Sequence, residues 1–236
     1  MKTIGMIGGM SWESTAVYYR LLNQITRERQ GGLHSARLLL YSFDFQEIES
    51  YQMGQNWAAA TERLVQAAHA LERAGADCLI ICTNTMHKVA PEVVQSVGVP
   101  LLHIADAAGE AIVAARLTAP LLLATRFTVE EDFYVGRLRD KYDIRCVIPD
   151  SRDREQVHNV IYQELCRGQV SEGSKTRFLE IIEASVAAGA DSVIFGCTEI
   201  GLLLQPEEVS VPVIDTTAVH VAAALDFALG ADAGSS

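Results

Sequence analysis

The sequence predicts an α/β fold made of two similar parallel-sheet halves. Short apolar runs alternate with longer segments of helical period, the pattern of βα units around a parallel sheet. In addition, AGADCLIICTNT (Ala74 to Thr85) returns as AGADSVIFGCTE (Ala188 to Glu199). Each copy reads as a helix end, a tight turn, a buried strand and a loop with reactive side chains. The match continues downstream, where VGVPLLHIAD (Val97 to Asp106) pairs with VSVPVIDTTA (Val209 to Ala218). Upstream, the strand opening at Thr3 pairs with one opening near Ala119.

Taken in order, the first unit is a strand from Thr3 to Ile7, a glycine turn, and a helix from Ser11 or Trp12 to Arg29 that stops at Gly31 and Gly32. Further strands are expected near Ala36 to Tyr41, Cys78 to Cys82, Pro100 to His103, Pro120 to Ala124, Arg145 to Ile148, Ser192 to Gly196 and Pro212 to Ile214. A last helix near Thr217 to Leu229 is expected to pack back on the first half. The domain division that follows is residues 1–105 plus 210–230 for the first, 106–209 for the second, and a flexible tail at 231–236. Open parallel sheets bind ligands beyond the carboxyl ends of their strands. The loops Thr83 to Thr85 and Cys197 to Glu199 are therefore expected to line one site in the cleft between the halves.

Composition narrows the function classes. The chain has 236 residues, 49% of them apolar and 21% charged, which suits an ordinary globular protein with a full core. A net charge of -11 disfavours nucleic acid or an anionic membrane as a partner. The start, MKTIGMIGGMSW, lacks the features of a signal peptide, and no run reaches transmembrane length. Five cysteines without framework spacing point to reduced thiols and to the cytoplasm.

Counted from the first alanine of each AGAD, Thr83 and Cys197 occupy the same position. Cys82 precedes that position on an alternating strand and should face the other way, into packing. Cys78, Cys146 and Cys166 are read as packing too, because a free cysteine usually behaves as a small apolar residue. Cys197 differs: it follows a glycine at a strand end and is followed by Thr198 and Glu199.

GGMSWEST (Gly8 to Thr15), CTNTMHK (Cys82 to Lys88) and FGCTEIGLL (Phe195 to Leu203) resemble the aspartate/glutamate racemase family, closest to its aspartate or broad-specificity amino-acid racemase branch. The resemblance spans essentially the whole chain. It implies two α/β domains related by a pseudo-twofold, a homodimer, an amino-acid substrate and no cofactor. Family members place a cysteine in each repeat loop, whereas the first loop here carries Thr83 before Asn84 and Thr85. That departure bears on mechanism, since inverting a stereocentre by proton transfer needs a base on one face and an acid on the other. A thiol can be brought to thiolate by positive surroundings or a helix N-terminus, but a threonine hydroxyl ionises with far more difficulty. Cys197 is thus expected to abstract the α-proton, and Thr83 to deliver one directly or through water. The resemblance puts the second-half cysteine on the L-face, which makes the L-amino acid the effective substrate.

Asn84, Thr85 and Thr198 can donate to the substrate carboxylate, with helix capping as their bland reading. By resemblance, Met10 and Gln52 also border the substrate. Glu199 can orient the ammonium or tune the thiol, or simply complement a helix dipole. His87 fits a buried histidine satisfied by backbone at least as well as a catalytic one. The N-terminal glycines are not spaced as GxGxxG, the six histidines lack zinc spacing, there is no CxxC, and no lysine stands in a pyridoxal context. Two rival readings stay open, a single-cysteine lyase or diacid isomerase of the same superfamily and a noncatalytic small-molecule-binding protein.

Overall fold

The computed structural model describes residues 1–230. The expected tail at 231–236 lies outside them. The described residues divide into two compact units, Met1–Ile104 together with residues 220–230, and Ala105–Val219.

The first unit contains β1 (Ile4–Gly8), α1 (Trp12–Gln30), β2 (Leu38–Ser42), α2 (Phe45–Met53), α3 (Trp57–Arg73), β3 (Cys78–Ile81) and α4 (Ala90–Ser96). Its strands pair in parallel in the order β2-β1-β3, with Ile4 opposite both Leu38 and Cys78. β1 and β3 are buried throughout because helices cover both faces, which is why they read as unbroken apolar runs. Alternation sorts their side chains. Ile4, Met6, Cys78, Ile80 and Cys82 share a core with Tyr18 and Leu22 of α1. Ile7, Leu79 and Ile81 share another with Ala60, Leu64, Ala67 and Leu71 of α3. Ser11 caps α1, its hydroxyl accepting from the Ser14 N–H, and the helix ends at Gly31.

The second unit contains α5 (Ile104–Ala114), β4 (Pro120–Leu123), α6 (Arg126–Glu130), α7 (Asp132–Tyr142), α8 (Ser151–Gln163), α9 (Glu172–Ala187), β5 (Ser192–Phe195), α10 (Ile200–Leu203) and β6 (Val213–Asp215). The order β4-β5-β6 is again parallel. Leu121, Leu123, Val193 and Phe195 pack on Val157 and Ile161 of α8 and Phe178, Ile181 and Ile182 of α9. α11 (Thr216–Leu229) then carries Val221, Ala224, Leu225 and Ala228 into the α1 side of the first core. No helix among the described residues is long and apolar enough to cross a membrane.

Two expected strands shrink to single bridges, Leu79 with Leu101 and Leu121 with Val147. Around Leu101 the pairing consists of Leu79 N–H to the Pro100 carbonyl and Leu102 N–H to the Leu79 carbonyl, after which the chain turns into α5. Beyond Val147, Pro149 has no N–H to offer a ladder, and Asp150 already caps α8. The boundary expected at residue 210 also moves, because β6 pairs with β5 and the chain rejoins the first unit only at His220.

The AGAD repeat has a mechanical explanation. Gly75 (φ 97°) and Gly189 (φ 109°) take the left-handed turn that ends each preceding helix, a conformation costly for residues with a Cβ. The aspartate that follows ties two strand starts together. Asp77 accepts from the Thr3 N–H at 2.6 Å while its own N–H donates to the Thr3 carbonyl at 2.8 Å. Asp191 accepts from the N–H groups of Thr118 (2.6 Å) and Ala119 (3.0 Å), and its N–H reaches the Ala119 carbonyl.

Candidate active site

Each candidate loop leaves the carboxyl end of a central strand. In the first unit, β3 runs out through Cys82 to a half-buried Thr83, and a 3₁₀ turn (Thr85–Val89) follows. His87 fastens this loop. The Ile104 N–H donates to His87 Nε2 at 3.2 Å, so Nδ1 carries the ring proton and donates to the Thr83 carbonyl at 2.8 Å. This is the backbone-satisfied histidine foreseen as the bland reading. Asn84 and Thr85 are buried, and Asn84 stands at the start of the turn without a side-chain capping bond. Gln52 of α2 is buried with its Nε2 3.1 Å from Met86 Sδ, and Met10 shares a core cluster with Met86. The residues expected on this side are thereby gathered around one loop.

Sequence spacing did not reveal that His87, His103 and His220 come together, their rings 4.5 and 5.8 Å from that of His87. His220 Nε2–H donates to the Leu102 carbonyl and Nδ1 accepts from the Tyr18 hydroxyl, each at 2.8 Å. Burial pushes its pKa down to about 4, so it is a neutral structural group at ordinary pH.

In the second unit, the Thr216 hydroxyl donates to the Phe195 carbonyl at 2.7 Å and fixes the end of β5. Gly196 and Cys197 follow. The Cys197 thiol donates to Glu199 Oε2 at 2.9 Å, and the Thr198 hydroxyl donates to the same oxygen at 2.8 Å. All three residues are buried, Glu199 to 4% exposure. Glu199 stands at the N-cap of α10, and its side chain turns to the Cys197 thiol and the Thr198 hydroxyl.

The electrostatics of this loop do not favour a thiolate. Burial first, and then the neighbouring Glu199 carboxylate, push the Cys197 thiol well above its ordinary value. A buried negative charge next to a thiol disfavours the thiolate, so the resting group is S–H hydrogen-bonded to a carboxylate. Burial likewise raises Cys82, and takes Cys78 and Cys146 up to about 12, as suits packing thiols. Cys166, also read as packing, is different. Its sulfur lies 3.7 Å from Glu199 Oε1, a contact no local motif signals because Cys166 and Glu199 are 33 positions apart.

A family model for Asp/Glu/hydantoin racemases matches residues 7–224. The chain belongs to the Asp/Glu/hydantoin racemase family. Among solved structures it is similar to a Yersinia pestis protein provisionally described as an Asp/Glu racemase, at 50% identity and TM-score 0.90, covering 97% of this chain and 100% of that one. An aspartate racemase homologue from Pyrococcus horikoshii OT3 matches at 34% identity and TM-score 0.84 over the same shares. The broad-specificity amino-acid racemase RacX of Bacillus subtilis (strain 168) is 20% identical over 91% of this chain and 93% of its own length. As a member of this racemase family the protein is an enzyme of the isomerase class.

Proposed function

We propose that the protein interconverts the L- and D-forms of aspartate, glutamate or a related small polar amino acid by direct α-proton transfer without a cofactor. Cys197 is the base and Thr83 the acid for the opposite face. Asn84 and Thr85, with the backbone N–H of Thr198, donate to the substrate carboxylate, where the charge of the carbanion spreads, and Met10 and Gln52 border the substrate. One observation carries the reading: a buried thiol bonded to Glu199 stands at the second repeat loop, and at the matching position of the first stands Thr83. Glu199 can take the thiol proton, and the resulting thiolate then takes the α-proton, so one carboxylate and one thiol exchange protons with no net change in charge.

The two partners set a one-sided preference. A thiol is far more easily deprotonated than an alcohol, so abstraction from the L-face outruns abstraction from the D-face. The enantiomers have equal free energy, so kcat/KM for net inversion must be the same in both directions. The preference therefore shows in α-proton exchange. In deuterated water, L-aspartate or L-glutamate should lose its α-proton faster than it inverts, and the D-form should exchange more slowly. Faster exchange from the D-form, or no exchange from either, overturns the assignment. We take the working form to be a cytoplasmic homodimer, a reading supported by five cysteines without framework spacing and by the family resemblance; sedimentation of the purified protein tests the dimer.

A further inference from the structure

A glutamate side chain does not choose by itself which oxygen faces which neighbour, because its last torsion is broad and roughly two-fold. Buried as it is, the Glu199 carboxylate is oriented by its donors. Oε2 accepts from Cys197 and Thr198, while Oε1 faces the Cys166 sulfur at 3.7 Å. Cys166 is not carried by a loose loop. It lies in a 3₁₀ turn (Leu165–Arg167) whose Leu165 is fully buried and which packs against α10, the helix that begins just after Glu199. The turn closes through Arg167 N–H to the Glu164 carbonyl and Gly168 N–H to the Leu165 carbonyl.

We propose that Cys166 is a positioning residue for the acid/base thiol: its S–H donates to Glu199 Oε1 and holds the carboxylate with Oε2 toward Cys197. The inference rests on the proposed role of Cys197. A second consequence concerns charge. Each donor to the carboxylate draws off part of its negative charge, and that charge opposes thiolate formation at Cys197. Where the thiol proton leaves to solvent, as in alkylation of the resting enzyme, Cys166 therefore makes Cys197 easier to deprotonate; in turnover, where Glu199 takes the proton, its part is to aim the carboxylate. Glu199 and Cys166 are the titratable groups that act on the Cys197 thiol among the described residues; a thiolate at Cys166 would itself oppose ionisation of Cys197, whereas the S–H form that donates to Oε1 carries no such charge. The first repeat has no counterpart, since Thr85 stands where Glu199 does and offers no carboxylate to position.

The test compares full-length wild type, Cys166→Ala and Cys166→Ser. The first readout is iodoacetamide alkylation of Cys197 across pH, resolved by peptide mass spectrometry so that other thiols do not contribute. The second is kcat and KM for the best amino acid. Cys166→Ala should move the alkylation midpoint up by about half a pH unit, roughly a threefold loss of thiolate at fixed pH. It should lower kcat about fivefold with KM within about twofold. Cys166→Ser keeps a donor and should recover more than half of both effects. An unmoved midpoint in Cys166→Ala, or a serine variant no better than alanine, overturns the proposal. If wild type racemises no amino acid, the proposed function fails, yet the alkylation midpoints still decide the part played by Cys166.

Discussion

At the end of β3 the leading side chain is Thr83, and the loop is held through its backbone: the Thr83 carbonyl is tied to His87, and His87 to the Ile104 N–H. At the end of β5 the leading side chain is Cys197, and there the reactive group itself enters the network through Glu199. The strands, their register and the preceding AGAD turns correspond, so the backbone path is shared while the chemistry is not. The difference teaches where mutational effects should fall. Changing the partners of the first loop should cost mainly stability, and changing those of the second should alter reactivity.

The strongest way to break the comparison is Cys197→Ala. Removing the base should lower α-proton exchange and racemisation by at least about a thousandfold with folding retained, as chiral chromatography and circular dichroism would show. Residual turnover near wild type would mean that another group is the base. Next in size, Thr83→Cys makes both loops thiol-bearing. It should raise D-substrate α-proton exchange by about ten- to a hundredfold and lift kcat/KM equally in both directions.

His87→Ala should act on the fold. It strips the half-buried Thr83 carbonyl and the buried Ile104 N–H of their partner at once, and chemical denaturation should show a loss of about 2–4 kcal/mol. The smallest effect concerns the repeat aspartates. Burial raises the Asp191 pKa, but the N–H groups of Thr118 and Ala119 and the hydroxyls of Ser192 and Thr118 outweigh it and hold the carboxyl below its ordinary value. A depressed carboxyl stabilises the fold above the unfolded value and loses that contribution as pH falls through the folded one. Asp191→Asn should therefore cost about 1 kcal/mol at pH 7, screened by solvent, and the gap should close as pH drops below about 4.

Much of this was legible in residue order. The βα alternation and the AGAD recurrence specify two parallel sheets because periodicity and turn chemistry act over a few residues. Counting from AGAD also singles out Thr83 and Cys197, and strand alternation assigns Cys82 to packing, where it lies. Strand extent was less legible: the segments at Leu101 and Val147 have strand composition, yet only tertiary pairing settles how many ladder bonds form.

What the sequence determined alone is the fold class, the duplication and the identity of the two matching loop residues, since each depends on local pattern. Only the tertiary structure decided that the Glu199 side chain turns to the thiols, that Cys166 joins it, and that three scattered histidines meet. A thiol's acidity and a carboxylate's partners depend on burial and on groups distant along the chain, and no short-range pattern encodes either.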